Sequence, residues 1–211
     1  KAGRMPEGAR AAASHTGALA GSDDVYDAAI RRAGMLRVLT TEDMFAAVAT
    51  LARARTRGGE RLAIMTNGGG PGGMAADALG AAGGALAPLS DAALASLDAV
   101  LPPAWSRANP VDIIGDAPVE RYLATLDVLL KDPDNDAVLF IHAPTAIVPS
   151  AEIARAVAPL AKAASRTVLG CWLGGDGVLE ARRIFSSEGI PAYATPEEAV
   201  SAFMQIAQYR R

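Results

Sequence analysis

Histidine is scarce in this 211-residue chain, and one of its two copies sits in unusual company. His15 stands in SHTGALAGS (14–22), flanked by Ser14, Thr16, Gly17, Ala18 and Gly21. An imidazole can act as nucleophile, proton carrier or metal ligand near neutral pH. A histidine packed in a core has large apolar neighbours. Small ones let a ligand approach and let the backbone move, so the stretch reads as a loop following a basic, unstructured start. A second candidate is TNGGGPGGM (66–74), with five glycines where a strand gives way to a helix. A helix opening there presents unpaired N–H groups and a partial positive charge, which is chemistry for an anion. Asn67, Gly68, Gly69, Gly70, Gly72 and Gly73 are the candidate phosphate- or anion-binding residues. The stretch fits neither the Walker pattern nor GxGxxG, so it is not assigned to a nucleotide. A tight turn that uses its glycines only for packing fits the spacing equally well.

Two further turns offer possible substrate-edge residues. NPVDIIGD (109–116) supplies Asn109, Asp112 and Gly115, and WLGGDGV (172–178) supplies Gly174 and Gly175. Asp112 can face a ligand or cap a backbone turn. His142, closing the run DAVLFIH, reads as a hydrogen-bonded structural group, and Cys171, inside an apolar run, as inert packing. No Cys/His spacing suits a metal, and no GxSxG elbow is present.

These turns need elements to hold them. Short apolar runs alternate with helical stretches from residue 60 onward. Strands are expected at 61–66, 84–89, 136–142, 166–173 and 190–193. Helices are expected at 71–83, 91–101, 118–131, 150–164, 176–188 and from 196 to about 208, with 102–116 as a loop. Ser90 caps the second helix, and Thr195 with Glu198 makes a capping box for the last. Apolar strands alternating with helices predict a parallel sheet covered on both faces, an α/β flavodoxin-like layer sandwich. Ligands bind such sheets at the carboxyl ends of the strands.

The first 57 residues do not complete a domain of this kind, yet they echo the end of the chain. AGMLRVLTTEDMFAAV (33–48) lies without gaps on EGIPAYATPEEAVSAF (188–203), matching Gly34 to Gly189 and Thr40 to Thr195. Both read as helix end, glycine, short strand, threonine cap and apolar helix. Residues 1–57 are therefore expected to be the C-terminal part of a second, similar domain, and 60–211 a complete one, joined by ARARTRGGE (52–60). Two generic strand–helix units would also look alike.

Bulk properties narrow the function. Half the residues are hydrophobic but only 5% are aromatic, and the net charge is -3. That balance disfavours nucleic acid, and no apolar run is long enough for a membrane helix. A single cysteine suits a reducing, cytoplasmic setting. The opening KAGRMPEGAR is neither a signal peptide nor a natural start, so a longer polypeptide is expected.

Taken in order, SHTGALAGSDDVYDAAIRRAGMLRV, TNGGGPGGMAADAL, NPVDIIGDAPVERY and GIPAYATPEEAV resemble the ADP-forming acyl-CoA synthetases of the succinyl-CoA synthetase superfamily (NDP-forming acetate–CoA ligases). The resemblance covers nearly the whole chain. It implies succinyl-CoA-ligase-type domains and the reaction acid + CoA + ATP ⇌ acyl-CoA + ADP + phosphate. It places the family's transiently phosphorylated histidine at His15 and one phosphate-stabilising helix N-terminus at Asn67 to Gly73. It further implies CoA, ATP/ADP and magnesium in the full enzyme, with sites mostly outside this chain. The implied partners are a CoA-binding domain and an ATP-grasp domain, in cis or on another subunit, in an oligomer. The acidic residue that orients the histidine in the family is expected upstream of Lys1, so the chain alone is expected to be inactive. An alternative implied by resemblance is an acyl-CoA- or nucleotide-sensing region of a GNAT-type protein lysine acetyltransferase, which a GNAT sequence after Arg211 would mark. The acid substrate is not legible.

Overall fold

Residue contacts divide the chain into two units, Lys1–Thr41 and Glu42–Arg211. The computed structural model describes residues 3–16, 21–53 and 59–209; the side chains of His15, Thr16 and Glu42 also lie outside the description.

In the first unit, the start expected to be unstructured is a helix, α1 (Pro6–Thr16). Its alanine-rich run AAA (11–13) has high helix propensity, which outweighs the flanking glycine signals. Ser14 to Thr16 accordingly belong to the last turn of α1 and not to a loop; residues 17–20 of the SHTGALAG stretch lie outside the described residues. Helix α2 (Asp23–Arg32) carries Asp23 and Asp24 in its first turn and Arg31 and Arg32 in its last, as its dipole favours. None of its residues is buried. It ends in a Schellman turn: Gly34 N–H donates to Arg31 O at 3.0 Å, Met35 N–H donates to Ile30 O at 3.0 Å, and Gly34 has φ +67°. Arg37 reaches back to α2, donating to Asp23 at 2.7 and 2.6 Å and to Asp27 at 2.8 Å. The expected short strand at 35–38 is not a strand here, and the described residues of this unit contain none.

The second unit takes up nearly all of α3 (Thr41–Leu51). Ala47 and Thr50 are buried, and the Thr50 hydroxyl bonds the Tyr193 hydroxyl. There follow β1 (Arg61–Thr66), α4 (Gly69–Ala81), β2 (Ala85–Leu86), α5 (Asp91–Val100), β3 (Val111–Asp112), α6 (Val119–Lys131), β4 (Ala137–His142), α7 (Ser150–Ala163), β5 (Thr167–Trp172), a 3-10 turn (Gly175–Val178), α8 (Leu179–Ser187), β6 (Ala192–Tyr193) and α9 (Pro196–Tyr209). The helix expected at 176–188 thus begins as a tighter turn, and β3 lies inside the expected loop.

All strand pairs are parallel, in the order β2-β1-β4-β5-β6, with β3 also on β1. This is the flavodoxin-like α/β sheet. β4 is buried along its whole length, and alternate residues feed opposite faces. Met65, Val138, Phe140 and Trp172 meet α5 to α8 through Leu97, Leu126, Val157 and Phe185. Leu62, Ile64, Leu139, Ile141, Leu169 and Cys171 meet α4 and α9 through Leu79 and Phe203. Each such large apolar side chain contributes about 1.5–3 kcal/mol by leaving water. Both N-caps form: Ser90 Oγ accepts from Ala93 N at 3.1 Å, and Thr195 Oγ1 accepts from Glu198 N at 3.2 Å; the return bond of the expected capping box is shifted by one residue, the Glu198 carboxylate accepting from Ala194 N at 2.9 Å. Because β1 connects to β2 on one side and β4 lies on the other, the order reverses between β1 and β4. Their carboxyl ends flank the crevice where open parallel sheets bind ligands.

Candidate functional site

The carboxyl end of β1 is built by two short side chains. Thr66 Oγ1 accepts from Gly68 N at 3.1 Å and donates to Gly68 O at 2.9 Å, folding the chain into the turn. Asn67 is buried and spans the reversal point: its Nδ2 donates to Ala143 O and its Oδ1 accepts from Ala143 N, both at 2.8 Å. This amide clamps β1 to β4 and forms the floor of the crevice. Its side chain is thereby committed to the scaffold, and the turn's remaining donors toward a ligand are backbone N–H groups.

The five glycines then differ in their work. Gly68 precedes α4 in extended conformation, with no side chain capping the helix and no acidic residue in its first turn. Gly69, Gly70 and Gly73 are exposed. Gly72 is buried against β1, where a Cβ would come within 2.9 Å of the Thr66 methyl and 3.3 Å of Pro110. Both readings of the stretch therefore apply, at different positions: Gly72 serves packing, whereas Gly69 and Gly70 leave an accessible helix opening.

The NPVDIIGD turn meets this opening at one residue. Asp112 Oδ1 accepts from Ile114 N at 2.9 Å, which holds Ile114 at φ +68°. Its other oxygen lies 3.1 Å from where a Cβ on Gly69 would stand. A carboxylate thus lies beside the positive end of α4. Gly115 packs toward the Asn67 carbonyl. Asn109 does not line the edge; the structure gives it a different task. Its Oδ1 accepts from Ile64 N at 2.9 Å, and its Nδ2 donates to Leu62 O at 2.8 Å and Ala87 O at 2.9 Å. The side chain fills the gap on β1 between β2 and β3, and it is followed by a cis Asn109–Pro110 bond. The third turn reaches the same edge: Gly174, at φ +119°, faces Pro144 so closely that a Cβ would sit 2.6 Å from its ring, while nothing lies near Gly175.

His142 is fully buried beneath this edge. Nδ1 lies 3.1 Å from the Tyr122 hydroxyl and Nε2 3.0 Å from Ser150 Oγ. Burial lowers its pKa to about 4, so the ring is neutral at pH 7 and works as the structural group its position suggested. Its partners Tyr122 and Ser150 carried no motif in the sequence. Cys171 is likewise buried, its thiol pushed up to about 12 chiefly by burial. A separate cavity of about 370 Å3, lined by Arg155, Pro159, Lys162, Ile184 and Glu188, lies between α7 and α8 and shares none of these turns. Among the described residues, no group of three or more His, Cys, Asp or Glu is placed to hold a metal ion, and no helix is long and apolar enough to cross a membrane. The structure therefore brings Asn67 to Gly70, Asp112, Gly115 and Gly174 to one edge. It places the His15 backbone in α1, with its side chain outside the described residues.

Comparison with known proteins fits this architecture. Residues 62–211 match the Ligase-CoA domain, and residues 1–51 match the succinyl-CoA ligase like flavodoxin domain. The whole chain is 39% identical to part of "Acetate--CoA ligase [ADP-forming] I" of Archaeoglobus fulgidus, spanning 30% of that protein. It is 38% identical over 219 residues, 99% of this chain, to "Acetate--CoA ligase [ADP-forming] II subunit alpha" of Pyrococcus furiosus, spanning 46% of it. A solved structure, the dinucleotide forming acetyl-coenzyme A synthetase 1 of Ca. Korarchaeum cryptofilum in complex with phosphate and ADP, superposes on the full chain with a TM-score of 0.94 at 37% identity. The chain covers 46% of that structure's chain. The chain thus spans less than half the length of these relatives. With its domain matches, its parallel sheet and these neighbours in agreement, the chain belongs to the ADP-forming acyl-CoA synthetase superfamily.

Proposed function

We propose that the chain is part of an ADP-forming acyl-CoA synthetase that interconverts acid + CoA + ATP with acyl-CoA + ADP + phosphate through a phosphohistidine on His15. In the thioester-consuming direction, phosphate attacks the acyl carbon, the C–S bond breaks and CoA leaves as thiolate. An imidazole nitrogen of His15 then attacks the phosphorus of the acyl phosphate, and the carboxylate leaves. The phosphoryl group finally passes to the terminal phosphate oxygen of ADP, and the imidazole is restored. A neutral imidazole is a competent acceptor for this transfer.

The observation that carries the reading is the opening of α4 at the sheet reversal, where Gly69 and Gly70 are exposed and no side chain caps the helix. Backbone N–H groups aimed at a phosphoryl group offset its charge without needing to reorganise. Asn67 contributes by fixing the turn and Thr66 by shaping it. Asp112 works in the opposite sense: its carboxylate beside Gly69 disfavours idle retention of an anion, which suits a group that must be handed on. Gly115, Gly174 and Gly175 keep the neighbouring edge open to the acyl phosphate.

The rest of the enzyme supplies what these residues do not. CoA and ATP/ADP are substrates, bound mostly on a CoA-binding domain and an ATP-grasp domain, in the same polypeptide or on another subunit of an oligomer. Magnesium, as the nucleotide's companion ion, belongs with the ATP-grasp part. A carboxylic acid is the substrate class, and a reducing cytoplasm suits the buried thiol of Cys171. Isotope exchange between ADP and ATP, measured in the full-length enzyme without acid or CoA, reports the phosphohistidine half-reaction alone. Wild type is expected to exchange and His15→Ala to lose exchange entirely. Exchange that survives the substitution overturns the proposal.

A further inference from the structure

Every residue of β4 is buried, and all but the last are apolar. That last residue, His142, stands at the end nearest the crevice. Its imidazole meets two buried hydroxyls, Tyr122 from the first turn of α6 at 3.1 Å and Ser150 from the start of α7 at 3.0 Å. An apolar side chain of like volume would pack here without the cost of burying three polar groups. A satisfied polar chain instead selects one arrangement where apolar packing tolerates several.

What it arranges is the edge of the sheet. The segment 143–149 contains no buried residue, helix or strand. His142 holds both of its ends, Ala143 through the chain and Ser150 through Nε2. Ala143 is also the residue that Asn67 clamps by its N–H and its carbonyl. Asn67 leads directly into Gly68 and the opening of α4, and its side chain meets the Tyr122 hydroxyl as well. On the other side, the His142 carbonyl accepts from Leu173 N at 3.0 Å, which anchors the chain just before Gly174 and Gly175. Segments far apart in sequence thus share one buried anchor, and all of them end at the crevice.

We propose that His142 and Tyr122 are positioning residues for phosphate, holding Asn67, and with it the amides of Gly69 and Gly70, in the geometry an anion needs. Neither side chain touches the anion. The inference rests on the reading of the α4 opening as the phosphate site, and not on His15. Backbone donors offset charge without reorganising only while their geometry is fixed. A misplacement of about 1 Å costs on the order of 100-fold in such a site. The network therefore acts on the affinity for phosphate and leaves ADP, bound on another domain, unaffected.

Steady-state kinetics of the full-length enzyme in the thioester-consuming direction test it, with phosphate and ADP varied in turn. Tyr122→Phe removes only the hydroxyl and keeps the ring packed beside Phe140, 5.8 Å away between centroids. It is expected to raise KM for phosphate about tenfold with KM for ADP unchanged. His142→Leu is expected to do the same, and the double variant no more than either, because both act through one chain. Effects that multiply in the double variant overturn that coupling. A purely structural part predicts a lower melting temperature and a smaller active fraction with both KM values unchanged, and that result overturns the proposal, as does an equal rise in KM for ADP. Gly70→Asp keeps the site and its positioning apart, since its side chain enters open space and adds a negative charge at the α4 opening. If Gly70→Asp raises KM for phosphate and Tyr122→Phe does not, the positioning role falls and the phosphate site stands. If Gly70→Asp leaves KM for phosphate unchanged, the phosphate site falls and the proposal with it.

Discussion

Glycine is not one kind of residue in the turn that opens α4, and two substitutions separate its roles. At Gly72 a methyl group would press on Thr66 and Pro110 in a packed site, so Gly72→Ala is expected to cost about 1–3 kcal/mol. At Gly73 nothing lies within reach, so Gly73→Ala is expected to be neutral or to stabilise by about 0.5–1 kcal/mol through helix propensity. Urea midpoints of the two variants check both signs. His142 supplies a pH signature at the same scale. Its folded pKa of about 4 lies below the 6.5 of a free imidazole, because burial disfavours the charged ring. Between those values the unfolded chain binds more protons than the folded one. Stability is therefore complete above about pH 6.5 and falls as pH drops toward 4, by up to about 3 kcal/mol. His142→Gln is expected to flatten urea midpoints across that window; an unchanged slope contradicts the assignment. Asp27 and Asp136, held low by Arg37 and Arg61 respectively, lose their contribution only below this range, as pH falls past the ordinary carboxylate value.

Strand ends in the second unit are held by amides placed at irregular points of the sheet. Asn67 joins β1 to β4, and Asn109 fills the space on β1 between β2 and β3. Asn109→Ala removes the partners of the Ile64 N–H and the Ala87 carbonyl, while Leu62 O keeps its bond from Ala87 N, and is expected to destabilise by about 2 kcal/mol or more, read as a lower urea midpoint with unchanged slope. Such residues explain what was legible in the sequence. The long strands and the helices α5, α6 and α7 announced themselves through apolar runs and helical spacing, and Ser90 and Thr195 through cap chemistry. The strand β3 did not, because its two residues pair by virtue of where β1 lies and not through any pattern of their own. The helix α1 was obscured by glycine and histidine signals at its end. Asn109 looked like a substrate-edge residue because an asparagine before proline in a turn reads the same whether it faces solvent or stitches strands. The three glycine turns were legible as turns at one edge. The approach of Asp112 to Gly69 was not, since the two lie 43 positions apart and meet only through the pairing of β3 with β1.

For the whole molecule, the sheet gathers small backbone turns at one edge, and the chain offers one histidine in a stretch of small residues elsewhere. The phosphoryl group is the link proposed between them. The measurement that tests this most directly is phosphate labelling of the full-length enzyme with labelled ATP and magnesium, followed by mapping of the modified residue. Acid-labile, base-stable label on residue 15, absent from His15→Ala and retained by Gly73→Ala, is the predicted result. Label that remains in His15→Ala, or that maps to another residue, contradicts the account.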